Sequence, residues 1–495
     1  MTENQPYPLY ELPRIANIKD MLEQKAAGQP AAVAFRYRKG RKEIIEKTFS
    51  DVRNETFRLA KYLKQEYGSG VHMAVIGENS YEWVRCFLAI VCSGNIAVPI
   101  DKGFLVQEVE ELLEFADVRV VFCSDTYRDL VENAKNVAVY SLQQTEELSA
   151  EEETPELSVE LVDSALACIF FTSGTSGKTK GVMLTHHNIT EEINLTCQLF
   201  VLEGNTLALL PFHHAFGFIV GILMVYNYGY TTFINRSLKM LQADLSEAAP
   251  QTMFLVPLFI ETFYKQIKKL PLQHVSGFFG GKLTYIISGG AGISPFYLEE
   301  YRKWGIEILN GYGTTECSAC TAVNRNHYHK DGTVGVLIPG AQVCIAKDGE
   351  VFIKGPHVMK GYYKEPEATQ NAFSDGWYRT GDLGQLDADG FLTLTGRKKN
   401  LIILSNGENI SPEGIEADIG RHPAVNEVLV YGKDGVIVAE IFPEEKFLGN
   451  QEYFEELIAA WNHSRPIYKQ IAKVILRDKD FIKNTSQKIV RYKNI

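Results

Sequence analysis

From Thr172 to Gly181 the chain reads Thr-Ser-Gly-Thr-Ser-Gly-Lys-Thr-Lys-Gly. Glycines at 174, 177 and 181 open backbone angles closed to other residues and let N–H groups approach a ligand closely. The hydroxyls of Thr172, Ser173, Thr175 and Ser176 and the ammonium groups of Lys178 and Lys180 add donors and positive charge. This is the chemistry of a loop that wraps phosphates. A Walker A loop ending in Gly177-Lys178-Thr179 would need glycine at position 172, which is threonine. The loop also runs on into β-branched Val182, where a Walker A loop would open a helix.

The elements that must hold such a loop are legible around it. Leu166–Phe171 is an apolar strand leading into it. Upstream, strand-like His72–Gly77, helical Tyr81–Cys92, strand-like Ile96–Ile100, helical Gln107–Phe115 and strand-like Val118–Cys123 alternate. That order predicts βαβ units and a parallel sheet. Residues 141–160 carry seven acids and no base, the pattern of a solvated surface connection. Near residue 396 short Gly-punctuated strands give way, through Gly-Arg-Lys-Lys-Asn, to a last segment of about a hundred residues. It has strands at Glu427–Val430 and Gly435–Phe442, a helix at Gln451–Ser464 and a strand at Val474–Leu476, enough for a small α+β domain. The expectation is an α/β protein: an N-terminal body (1–395) of mixed and parallel sheets flanked by helices, a hinge (396–399) and a mobile C-terminal α+β lid (400–495).

With 495 residues, 45% of them hydrophobic, the chain has the material for a large core, which excludes disordered and fibrous classes. Its net charge is -11 and no run of five Lys/Arg occurs, so a nucleic-acid surface is not expected. An anionic substrate would have to be drawn in by a local site against the field of the whole protein. The first residues lack the cationic start and apolar core of a signal peptide. The longest apolar stretch, Ala215–Tyr226, is about twelve residues, short of the roughly twenty that span a bilayer. Of eight cysteines only Cys317 and Cys320 form a C-x-x-C, with no second pair to complete a zinc site. Reduced thiols and a cytoplasmic location are therefore expected.

Phe171–Val182 resembles the signature phosphate loop of the adenylate-forming superfamily, which includes acyl- and aryl-CoA synthetases, peptide-synthetase adenylation domains and beetle luciferases. Other motifs similar to the family's follow in order: Pro211-Phe212-His213-His214-Ala215-Phe216-Gly217, Ser288-Gly289-Gly290-Ala291, Asn310-Gly311-Tyr312-Gly313-Thr314-Thr315-Glu316, Gly355-Pro356 through Gly361-Tyr362-Tyr363, Trp377 to Asp382, Gly396-Arg397-Lys398-Lys399, Asn406 to Ile410, and Lys488. The likeness spans nearly the whole chain.

The resemblance implies that a carboxylic acid and ATP give acyl-adenylate and pyrophosphate, and that a thiol then expels AMP. Lys488 would be the catalytic cation between carboxylate and α-phosphate, with Gln487 standing where the family usually has glycine. Thr172, Ser173, Gly174, Thr175, Ser176, Gly177 and Lys180 would hold the phosphates. Glu316, a hard oxygen donor, would serve Mg²⁺ with Thr175, and Thr315 would face the α-phosphate. Gly290, Ala291, Asn310, Gly311 and Tyr312 would form the adenine pocket, and Asp382 with Arg397 would hold the ribose. His214 would line the carboxylate channel, with His213 structural. Lys399 would be the hinge, and Gly407 would line the tunnel for coenzyme A.

The run Phe216–Tyr226, with Gly217 and Gly221 four apart, fits an acyl-pocket wall and a buried core helix equally. The branch resembled most is a fatty acid–CoA ligase, on Gly77-Glu78-Asn79-Ser80 and the Gln487-Lys488 ending. The alternative is a freestanding ligase that loads an acyl or aryl group onto the phosphopantetheine of a carrier protein. Two rivals are of other kinds. A P-loop phosphotransferase is disfavoured by Thr172, and a catalytically dead nucleotide-binding module by the presence of Lys180, Glu316, Asp382, Arg397 and Lys488 together.

Overall fold

The computed structural model describes residues 8–40, 42–148, 156–173, 179–404, 409–483 and 489–495. The protein is α/β, and the chain packs into two compact units. One comprises residues up to 293 with 297–342 and 354–378; the other gathers 294–296, 343–353 and 379–495.

In the first unit the expected alternation is present. Strands His72–Ile76, Ile96–Ile100 and Val118–Cys123 run parallel and side by side, connected by helices Tyr81–Cys92 and Val106–Phe115. Residues 73–76 and 96–100 are all buried, because helices cover both faces of a parallel sheet and the strands can be apolar throughout. Ser80 starts the first of these helices by accepting the Trp83 N–H on its hydroxyl. Among the described residues seven strands form this sheet, and strand Leu166–Ser173 continues it beside Ile96–Ile100. That strand pairs antiparallel with Thr179–Thr185, so the described ends of the phosphate-loop motif, Thr172-Ser173 and Thr179-Lys180-Gly181, lie on paired antiparallel strands. Among the described residues a strand, not a helix, comes next, and this disfavours a Walker A loop alongside Thr172.

A second sheet of nine described strands has a parallel centre: Glu307–Tyr312, Tyr285–Ser288, Thr252–Leu255, Thr206–Ala208, Thr232–Ile234 and Val33–Lys39. Three motifs leave the carboxyl ends of these strands: Pro211–Gly217 beyond Thr206–Ala208, Gly289–Ala291 after Tyr285–Ser288, and Gly313–Glu316 after Glu307–Tyr312. Open α/β sheets bind ligands at that edge.

Phe216–Met224 is helical as expected, but it is wound as a π-helix that passes into α-helix at Val225–Tyr228. A Cβ on Gly217 would lie 2.4 Å from the Pro211 carbonyl oxygen, so the helix begins pressed against the turn before it. Such local unwinding is frequent at functional sites. Residues 217–224 are buried, and Phe218 packs on Trp83 and Phe87 with ring centroids 4.9 and 4.3 Å apart. Most of this helix is therefore core.

In the second unit, strands Val425–Lys433 and Val436–Pro443 form a hairpin, and Ile471–Leu476 lies parallel to the latter. Helices Pro412–Ile419 and Gln451–His463 close over them, burying Ile415, Ile419, Val430, Ala439, Phe454 and Ile458. No helix among the described residues is long and apolar enough to cross a membrane.

Candidate active site

Hairpin register places Thr172 opposite Lys180 and Ser173 opposite Thr179. Gly361-Tyr362 adds a further antiparallel strand against Met183 and Val182. From there the Tyr362 ring lies under the Lys180 ammonium, 4.5 Å from its centroid, while its hydroxyl donates to Glu316 Oε1 at 2.8 Å. The Met359 N–H holds the Glu316 carbonyl at 2.7 Å. Lys180 and Glu316, 136 positions apart, are thus joined through one tyrosine. Burial and the Glu316 charge push the Tyr362 phenol well up, which keeps it a donor. Sequence reasoning quoted Tyr362 only as part of a motif and gave it no role. The available signal was Gly361, whose φ of +147° and lack of room beside Thr369 leave only glycine there.

Glu316 and Thr315 sit in a single 3₁₀ turn, Thr315–Cys317. The chain then folds back through Ser318 and Ala319 at φ +52° and +108°. Gly313 makes this possible, since a Cβ there would meet the Ala319 carbonyl at 1.9 Å. His357 braces the turn: its carbonyl accepts the Ser318 hydroxyl at 2.7 Å, and its Nε2 lies 3.3 Å from Thr321 Oγ1. Burial lowers the His357 pKa from 6.5 to about 4. From pH 6.5 down to about 4 the unfolded chain therefore holds more protons than the native one, and stability falls as the pH falls. His357→Gln is expected to flatten this limb of a plot of Tm against pH; an acid limb as steep as that of the parent would refute the assignment.

Ser288 ends its strand in register with Asn310 on the parallel neighbour. The Asn310 amide donates to the Thr333 carbonyl at 3.3 Å, but its Oδ1 and the Ser288 hydroxyl are buried without partners. An orphaned acceptor is costly, and one beside Gly289-Gly290-Ala291 suits the amino group of a purine. Gly290 takes φ +81°, and the Phe216 ring packs where a Cβ on Gly289 would come within 3.0 Å. Gly311 and buried Tyr312 continue the strand next to Asn310. His214 is half-buried, whereas His213 is buried with its Nε2 3.3 Å from Asp101 Oδ2. The two imidazoles touch, with centroids 4.3 Å apart.

In the second unit Asp382 and Arg397 face each other across a ladder, with Nε and Oδ1 2.7 Å apart. Asp382 is buried and the Arg397 side chain 43% exposed, so the pair presents its cationic end to solvent. Just beyond, Lys398 is held by Asp348 at 2.6 Å and Glu350 at 2.8 Å. Partial burial and the Arg397 guanidinium lower the Lys399 pKa to about 8. Gly174, Thr175, Ser176, Gly177, Gly407 and Lys488 lie outside the described residues.

Among the described residues no three His, Cys, Asp or Glu side chains gather as a metal cage. Glu316 fits Mg²⁺ all the same, because that ion is commonly bound by one or two carboxylates completed by nucleotide phosphates and water.

The family described as AMP-binding enzyme matches residues 22–363, and its C-terminal domain matches residues 399–494. The chain belongs to the AMP-binding enzyme family. It is an acyl-CoA synthetase of the adenylate-forming superfamily. It is 30% identical over 466 residues to the 2-succinylbenzoate–CoA ligase of Listeria monocytogenes serovar 1/2a, covering 90% of this chain and 94% of that one. It is 27% identical over 427 residues to the long-chain-fatty-acid–CoA ligase FadD15 of Mycobacterium bovis, covering 74% and 71%. The o-succinylbenzoate CoA synthetase MenE of Bacillus subtilis, solved with its acyl-adenylate OSB-AMP, superposes with a TM-score of 0.82 at 26% identity, covering 95% and 97%.

Proposed function

We propose that the protein joins ATP, with Mg²⁺, to a carboxylic acid as acyl-adenylate, releases pyrophosphate, and passes the acyl group to the thiol of coenzyme A with release of AMP. The observation that carries this is the Lys180–Tyr362–Glu316 chain. It sets a cation and a carboxylate at the flank of a loop rich in hydroxyls and glycine, and neither is spent on the other. Lys180 draws phosphate oxygens. Bound Mg²⁺ would neutralise the triphosphate and its leaving group. Asn310 reads the purine through Oδ1, and Asp382, oriented by Arg397, accepts the ribose hydroxyls. His214 orients the acid.

The acid we favour is a fatty acid, and the likeness to FadD15 supports it. The near full-length likeness to 2-succinylbenzoate–CoA ligase supports a second reading, an aromatic keto acid. The acceptor we favour is CoA over a carrier-protein phosphopantetheine, and the cell compartment is the cytoplasm. All eight cysteines are free and seven are buried, which suits a reducing compartment.

The test is acid-dependent ATP–pyrophosphate exchange with acetate, octanoate, palmitate, benzoate and 2-succinylbenzoate, followed by thioester formation with CoA or with a holo carrier protein. Exchange with at least one acid and a CoA thioester as product are expected. Absence of AMP from every combination would overturn the reading.

A further inference from the structure

We propose that Asn79 and Asp101 are positioning residues for the histidine pair, a role that rests on the reading of His214 as the residue facing the acid. They come from a different sheet. Strands His72–Ile76 and Ile96–Ile100 are parallel neighbours, pairing Ile76 with Ile100. Their carboxyl ends therefore release Gly77-Glu78-Asn79 and Asp101 side by side, toward the segment that leaves the nine-stranded sheet at Leu210.

Asn79 spans Pro211. Its Nδ2 donates to the Leu210 carbonyl at 2.8 Å, and its Oδ1 accepts the Phe212 N–H at 3.2 Å. Proline has no N–H of its own, so the residue at the centre of this turn offers no donor of its own. A carboxamide, with one donor and one acceptor at fixed spacing, fits the two groups on either side. Asp101 fixes the next residues. Its Oδ1 accepts the Gly103 N–H at 2.8 Å, and its Oδ2 stands 3.3 Å from His213 Nε2, with both side chains buried. The His213 ring in turn abuts His214. The His214 N–H donates to the Pro211 carbonyl at 3.2 Å, closing the turn that Asn79 has pinned.

The neighbouring groups are occupied elsewhere. Glu78 accepts the Ser124 hydroxyl at 2.7 Å and pairs with Arg236 at 3.3 Å. Ser80 caps its own helix. Asn79 and Asp101 thus reach across from one sheet to set the direction of a side chain carried by the other.

A misplacement of about 1 Å remote from the reacting atoms costs roughly a hundredfold. Asn79→Ala is accordingly expected to lower kcat/KM for the most active acid of the panel roughly tenfold to a hundredfold in pyrophosphate exchange, through a raised acid KM and with the KM for ATP unchanged. In a His214→Ala background the same change should cost nothing further, because Asn79 acts only through the imidazole. Asp101→Ala should behave alike. Asp101→Asn, which keeps an acceptor for Gly103 and a dipole toward His213, should recover most of the loss.

Additive losses in the double variant, or equal rises in both KM values, would overturn the assignment while leaving the activity intact. A His214→Ala protein with unaltered acid kinetics would overturn it together with the role of His214. If Asn79→Ala does not fold, as judged by its Tm, Asn79→Asp keeps the acceptor for Phe212, loses the donor to Leu210 and carries the same double-variant comparison.

Discussion

Lys488→Ala is expected to lower acid-dependent pyrophosphate exchange on the order of a hundredfold to a thousandfold, while thioester formation from supplied acyl-adenylate continues. The first half-reaction brings a carboxylate to an α-phosphate inside a protein whose net charge is -11. Two unit charges 4 Å apart interact by about 4 kcal/mol at the effective dielectric of a protein surface. A cation between them therefore removes a barrier that no neutral donor removes as well. Lysine suits the task because its ammonium is compact, carries three donors and moves on a flexible stem. In the second half-reaction the anhydride already exists and AMP leaves, so the demand for that charge has passed. The check is to run both halves on one preparation. Equal loss in both would mean that Lys488 supports the fold or the nucleotide site generally, and unchanged exchange would move the role to another cation, with Lys180 next in line.

Several elements of the first unit were legible because burial on both faces writes itself into composition. Tyr81–Cys92 and Ile96–Ile100 are found where periodicity placed them, and Val118–Cys123 likewise. The phosphate-loop strand was read through Phe171 and extends to Ser173, since pairing with Thr179–Thr185 carries polar residues into the ladder. What could not be read was anything that depends on two distant segments meeting. Tyr362 looks like an ordinary strand residue until Lys180 and Glu316 are seen on either side of it. The Asn310 carboxamide looks satisfied until Oδ1 is found buried without a donor. The π-winding from Phe216 accompanies the close approach of Gly217 to the Pro211 carbonyl, and the hydrophobic pattern does not distinguish it from an α-helix. His213, expected to be structural beside His214, is buried with its Nε2 3.3 Å from Asp101 Oδ2, an approach across two sheets that no local pattern announces.

Lys399→Pro is expected to leave pyrophosphate exchange near that of the parent and to abolish thioester formation. The proposed motion would turn on a position whose neighbours on both sides are held. On its N-terminal side Leu392–Arg397 is fixed in a ladder, Arg397 is tied to Asp382, and Lys398 is clamped between Asp348 and Glu350. On its C-terminal side the Asn400 amide donates to Glu413 at 2.6 Å. Lys399 lies between two anchored neighbours, and partial burial, with the Arg397 and Arg491 charges, lowers its pKa to about 8. Rotation there must also part Gly396 from Ser411: Gly396 has φ +150°, and a Cβ on it would stand 2.1 Å from Ser411 Oγ. Proline at 399 would fix φ near −65°, remove an N–H and restrict Lys398 as well, so the chain would keep one setting. On the proposed reading, adenylation would need Lys488 delivered and thiol attack would need the same space cleared. Pyrophosphate exchange and CoA consumption measured on the same variant separate the two. A parallel fall in both, or thioester formed at the parental rate, would remove Lys399 from the pivot and leave the two half-reactions to be accommodated by some other movement.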